Sequence, residues 1–275
     1  MAILGFLGAL VIGIVLGLIG GGGSILTVPI FTYILEIPAE TATAYSLFVV
    51  GTTALVGALI SVKHKLIDFK TGLIFAFPAF IGVYLSRRYI LPNIPDELFS
   101  HHNITLNKDM AIMIFFAIIM LLAAFFMIRG KANNDNDNDN EVEVKYNIPM
   151  LIIEGLVVGV LTGIVGAGGG FLIIPALVLF ARLPMKKAVA TSLMIIAIKS
   201  FGSIGDIEKP NFWIEIDWSL LLPFTVFSIL GIFIGLYMNK FIDGKKLKKG
   251  FGFFVLIVAV FIIIEEIITS GLFHI

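Results

Sequence analysis

The sequence predicts an all-α polytopic membrane protein made of two inverted-topology repeats, each of five apolar segments, with broken or re-entrant helices at two glycine turns. Three observations carry this prediction. The 275-residue chain is 59% hydrophobic and 14% charged, with mean hydropathy +1.05, whereas a soluble domain carries about 25% charge. A glycine turn occurs twice, 146 residues apart: Gly17-Leu-Ile-Gly20-Gly21-Gly22-Gly23-Ser24 running on to Pro29, and Gly163-Ile-Val-Gly166-Ala167-Gly168-Gly169-Gly170 running on to Pro175. Lysine and arginine, finally, gather in alternate loops.

In chain order, apolar segments fall near 3–19, 24–35, 40–62, 69–90 and 109–128. The first lacks a basic leader and ends in the repeated motif, so it reads as a retained segment rather than a signal peptide. A polar linker follows at 129–147, with the run Asn133 to Asn140 too poor in apolar side chains to bury a core. Five further segments lie near 148–165, 170–181, 185–206, 216–239 and 250–271. The expected organisation is a first transmembrane repeat at 1–128, a cytoplasmic linker at 129–147 and a second repeat at 148–275.

At the fixed offset of 146, Gly13, Gly17, Gly20, Gly22, Gly23, Leu26 and Pro29 meet Gly159, Gly163, Gly166, Gly168, Gly169, Leu172 and Pro175. Pro38, Ala42, Ala44, Ser46 and Leu47 meet Pro184, Ala188, Ala190, Ser192 and Leu193, and after a three-residue insertion Asp68 and Gly82 meet Asp217 and Gly231. An odd number of segments per repeat turns the second repeat upside down. Cytoplasmic loops collect Lys and Arg. Putting the loops at 63–70, 129–145, 182–187 and 240–249 inside gathers fourteen basic residues there against four outside. Arg87, Arg88 and Lys108 are the ones that fit least well. Both termini come out external.

The segments 24–35 and 170–181 are short: twelve helical residues span about 18 Å against about 30 Å of hydrocarbon. Each glycine turn can therefore lie inside the membrane. Irregular backbone at that depth needs partners or a wet cavity, and broken segments at matching positions of two halves point to a transporter's binding site. The helix after each turn directs free N–H groups and its positive dipole end at the turn, which suits an anion. Ser24 and Thr27 add hydroxyls in the first half, where the second has Gly170 and Ile173. The competing reading, that these glycines only allow close packing, holds for the small-xxx-small pairs Gly13/Gly17, Gly159/Gly163 and Gly231/Gly235. Such faces serve packing within one chain or in a homodimer. No Lys-Ser or Lys-Thr follows the glycines, which argues against a nucleotide loop.

The candidate solute-binding residues are Gly20, Gly21, Gly22, Gly23, Ser24, Ser46, Gly166, Ala167, Gly168, Gly169, Gly170, Thr191, Ser192 and Lys199. Thr43, Thr52, Thr53, Ser200 and Ser203 share the third segments with Ser46, Ser192 and Lys199, although hydroxyls in membrane helices often bond only their own backbone. Lys199, deep in its segment and aligned with Thr53, is a functional candidate by its cost alone. The alternatives are a snorkelling side chain or a pair with Asp206. Glu154, Lys199 and Asp206 are the candidates for proton coupling, and Glu154 can equally be an interfacial residue. The four histidines are scattered, so no metal site is expected, and no cofactor is. Zero net charge argues against a nucleic-acid partner. The expected partners are a small anionic solute and the bilayer. Only isolated candidates for acid–base chemistry exist, so an intramembrane enzyme or scaffold is the weaker reading.

The paired turns Gly17–Pro29 and Gly163–Pro175, with the elements Ala44-Tyr-Ser-Leu47 and Ala190-Thr-Ser-Leu193, resemble the TauE/SafE sulfite exporter family over essentially the whole chain. The resemblance implies a secondary transporter in the plasma membrane of a prokaryote, exporting sulfite or an organosulfonate such as sulfoacetate. An importer or channel for another small anion is the alternative. Tyr45 stands where the other half has Thr191, so one side of the site is shaped differently.

Overall fold

The computed structural model describes residues 2–90, 93–95, 97–101, 104–129, 148–165, 170–203 and 216–269. Ten helices run in chain order through them: α1 (Ala2–Ile19), α2 (Gly23–Pro29), α3 (Ala39–Lys63), α4 (Phe69–Leu85), α5 (Lys108–Arg129), α6 (Ile148–Val165), α7 (Gly170–Pro175), α8 (Met185–Ser203), α9 (Trp218–Phe241) and α10 (Gly244–Thr269). Among the described residues, five stretches are long and apolar enough to cross a membrane: Ala44–Lys63, Phe69–Ile90, Met110–Arg129, Trp218–Phe241 and Gly244–Glu265.

Two details go beyond the expected outline. The all-α reading holds for the fold apart from one short antiparallel hairpin, Glu97–His101 (β1) with Ile104–Asn107 (β2). It lies in the segment read as an external loop, where the backbone must find its own hydrogen bonds. The last helix also begins at Gly244 rather than near 250, because the Asp243 carboxylate accepts from the Lys245 amide (3.2 Å) and lysine is a good helix former.

The broken segments are built alike. α1 stops because Gly20 takes φ +74°, with its N–H closing the last turn on the Leu16 carbonyl at 2.7 Å. α2 and α7 end on Pro29 and Pro175, which donate no backbone hydrogen bond. The helix continues after each proline in wider π-type turns, Ile30–Ile34 and Ala176–Phe180. The two exits then match bond for bond. Leu35 and Ala181 N–H reach Ile30 and Ala176 O at 3.2 Å, and the chain turns through left-handed Glu36 and Arg182.

Asp68 and Asp217 cap α4 and α9, accepting from the amides of Thr71 (3.0 Å) and of Ser219 (3.0 Å) and Leu220 (3.3 Å) respectively. The Ser219 hydroxyl, helped by the Leu220 and Ser219 amides and opposed by desolvation, holds the exposed Asp217 carboxyl below its usual value. A depressed carboxyl stabilises the fold above the unfolded-state value and stops doing so as pH falls through the folded-state one. The deficit in thermal midpoint of Asp217→Ala against the native protein should therefore be full near about pH 6 and shrink only as pH falls below the ordinary aspartate value of about 3.9.

The halves interlock. α1 packs on α9 and α6 packs on α4, so each half's opening helix lies against the other half's fourth helix. Both contacts run parallel and are glycine-made. A Cβ on Gly13 would strike Ser228 O, and one on Gly17 would lie 2.7 Å from Ile232 O; in the second half, Gly159 meets Ala79 O and Gly163 comes 3.0 Å from Val83 O. Ser228 and Ile232 lie 149 residues beyond Ala79 and Val83, so each contact has its counterpart. The small-xxx-small faces are thus used within the chain. At the centre α3 and α8 pack antiparallel, Gly51 against Ser200 and Gly57 against Leu193.

Candidate solute site at the glycine turns

The first glycine turn meets Gly170, the first residue of α7. A Cβ on Gly21 would coincide with the Gly170 carbonyl oxygen, and one on Gly170 would lie 3.0 Å from Gly21 Cα. Gly20 borders the Ser192 hydroxyl and Val189 O, while Gly23 presses on α1, a Cβ there lying 2.7 Å from Ile12 O. Gly22 alone has some room, with Phe254 of α10 3.3 Å from an added Cβ. All four glycines are buried. Ser24 and Ile25 amides turn back on Gly21 and Gly22 O at 3.3 and 3.4 Å. The Gly21 and Gly22 amides donate to no carbonyl among the described residues. Buried backbone donors without a partner are rare.

The hydroxyls divide by use. Ser24 donates to Gly21 O (2.7 Å), Thr27 to Gly23 O (3.2 Å) and Ser192 to Val189 O (2.8 Å), so these three spend their protons on local backbone. Thr191 accepts from the Asp68 amide (3.1 Å), and the Tyr45 hydroxyl accepts from the Asp217 amide (2.8 Å). The residues that differ between the Ala-x-Ser-Leu elements therefore do the same job, tying the third helix of one half to the fourth of the other. Tyr45 also packs edge-on against Phe31. Ser46 is buried in α3 at the position equivalent to Ser192.

Lys199 is 6% exposed and donates through Nζ to Thr162 Oγ1 at 2.8 Å, so it does not snorkel. Thr162 lies one turn before the second glycine turn, and Ile196, one turn back from Lys199 on α8, touches Gly170. The ammonium is thus held on α6, one turn before its end. The equivalent Thr53 bonds instead to Ser228 Oγ at 3.1 Å. Sequence reasoning missed Thr162 and Ser228. Thr162 aligns with Leu16, so comparing the repeats hid it; its place on the turn of helix before Gly166 was the available signal. Glu154 lies more than two turns from Thr162 on α6, with both carboxylate oxygens buried and unbonded among the described residues. Gly166, Ala167, Gly168, Gly169 and Asp206 lie outside the described residues.

A bundle of apolar helices in which two broken segments meet at buried glycines defines a class, that of multi-pass membrane transporters. The chain belongs to the sulfite exporter TauE/SafE family, whose model matches residues 5–262. It is similar to a "Probable membrane transporter protein" of Xylella fastidiosa, 26% identical over 255 residues that cover 92% of this chain and 91% of that one. Two Bacillus subtilis proteins, the "Probable membrane transporter proteins" YunE and YdhB, are each 28% identical over 86% of this chain, covering 88% and 90% of their own lengths. No solved structure matches the chain.

Proposed function

We propose that the protein is a secondary transporter that carries a small sulfur oxyanion or sulfonate, such as sulfite or sulfoacetate, out of a prokaryotic cell by alternating access between two inverted repeats. It acts as a carrier and performs no chemistry on its solute. The meeting of Gly21 and Gly170 carries the reading, since it brings the first broken segment, whose Gly21 and Gly22 amides donate to no carbonyl among the described residues, against the first residue of α7 at one buried place. Lys199, bonded to Thr162 near the end of α6, is the basic residue of the proposed site. Inversion is supported by helix direction. α1 runs parallel to α9, α4 parallel to α6 and α3 antiparallel to α8, which is the pattern required when the basic loops lie inside and both termini outside. An inside-negative potential assists outward anion flow by about 2.3 kcal/mol per charge per 100 mV.

The test is efflux of sulfite, sulfoacetate and sulfate from liposomes holding the purified protein, with the membrane potential varied. Saturable efflux of one sulfur anion, faster when the inside is negative, is expected. Equal leakage of all three, or none, would sink the proposal.

A further inference from the structure

The carboxyl group of Glu154 has no part in the site above. It lies on α6 (148–165), the helix that leads into the second glycine turn, and both its oxygens are buried without a hydrogen bond to any described residue. α6 packs through Gly155, Gly159 and Gly163 on α4, and it also packs on α7 and on the wide turn 176–180. In the first half the equivalent position is Gly8, and Ile30 fills the space above it, 3.1 Å from an added Cβ. The second half exchanges the sizes: glutamate stands on the helix and the small, buried Ala176 replaces Ile30. By this equivalence the space that the Ile30 side chain fills beside Gly8 is left, in the second half, for the Glu154 carboxyl.

The charged groups around it are engaged or distant. Lys70 begins α4 and has its own interaction. Arg87 and Arg88 lie on 86–90, beside the far end of α6. On α5, Lys108 and Asp109 stand at the start and Arg129 at the end, over the Phe125 ring. Lys199 of α8 is bonded to Thr162, eight residues further along α6. α7 and 176–180 carry no charge. Both Glu154 oxygens are without a hydrogen-bond partner among the described residues. An ionised carboxylate without a counter-ion is strongly disfavoured in such a place, so the closed packing of 176–180 on α6 suits the neutral acid.

We propose that Glu154 is the proton-binding site of the transport cycle, holding a proton while 176–180 is closed on α6 and releasing it to water when the two part. The proposal rests on the transport reading above. It makes the second repeat the proton-linked half, while the first is locked by apolar packing at Gly8 and Ile30.

The experiment compares the native protein with Glu154→Gln in liposomes loaded with sulfite and a pH-sensitive dye, with the potential clamped. In the native protein, a pH gradient should change flux several-fold and the dye should report anion-dependent proton movement. Glu154→Gln should lose both responses. A native protein blind to the gradient, or a Glu154→Gln that responds like it, would overturn the proposal. Should the glutamine variant prove unstable, Glu154→Leu carries the same comparison. A second arm needs no solute: the infrared difference between native and Glu154→Gln protein. A carboxylic-acid carbonyl band at neutral pH that converts to carboxylate on alkaline titration is expected. A carboxylate band throughout would overturn the proton site even if sulfite flux is normal. An acid band with no flux of any sulfur anion would instead remove the transport reading and leave the titrating site in place.

Discussion

Gly21→Val should abolish anion flux while Gly22→Ala keeps it within about twofold of native. The two glycines are neighbours in one turn, and only their surroundings differ. A Cβ on Gly21 meets the backbone carbonyl of Gly170, which cannot withdraw without moving α7 and the Ile196 side chain packed on it. One on Gly22 meets the edge of the Phe254 ring at 3.3 Å, which can give by a few tenths of an ångström. Overpacking against backbone costs about 1–3 kcal/mol, and here it would force apart the contact that assembles the site. The measurement is initial flux per folded protein, with folding judged by gel filtration and thermal midpoint. If the valine variant fails to fold, Gly21→Ala tests the same overlap with less bulk. Flux through a folded Gly21 variant at the native rate would show that the meeting of the turns is not where the anion passes.

Lys199→Met should raise the half-saturating anion concentration by about ten- to a hundredfold, the worth of a charge-assisted hydrogen bond of roughly 1.5–3 kcal/mol. Methionine keeps the length and apolar stem and removes only the charge. The lysine is 6% exposed and bonded to Thr162, so its ammonium is in a setting where a passing anion would be little screened. Lys199→Arg should retain part of the affinity, because the charge remains although the shape changes. A purely structural lysine gives a different result: a lower thermal midpoint in Lys199→Met with an unchanged half-saturating concentration, and a similar loss in Thr162→Val.

The matching contacts of the two halves were legible because glycine, proline and aspartate leave marks that burial alone does not. Gly13 and Gly159, or Asp68 and Asp217, are required by backbone contacts or helix starts, and both halves need them at the same places. The breaks at Gly20 and Pro29 were visible for the same reason. Which helix each glycine face would meet was not visible, because a small-xxx-small stripe specifies closeness and no partner. The hydroxyls were over-read. Ser24, Thr27 and Ser192 sit at suggestive positions, but a buried hydroxyl satisfies itself most cheaply on the carbonyl three or four residues back. Lys199 was legible as a cost, while its partner Thr162 was hidden by the unequal residue at the matching position. The hairpin at 97–107 was missed because a polar loop between apolar segments has no periodic pattern that distinguishes pairing from coil.

The exchange of opening helices between the halves sets a timetable for synthesis. The glycine face of α1 around Gly13 finds its partner only when Gly231 has been made, 218 residues later. At about 5–20 residues per second, α1 waits roughly 10–40 s for its mate. α4 waits less, since Gly159 follows Gly82 by 77 residues. The second half thus emerges into a membrane that already holds two unmated helices, and its own first and fourth helices complete them in turn. A chain stopped at the linker would present both faces bare, open to capture by any neighbour with a matching stripe of small residues.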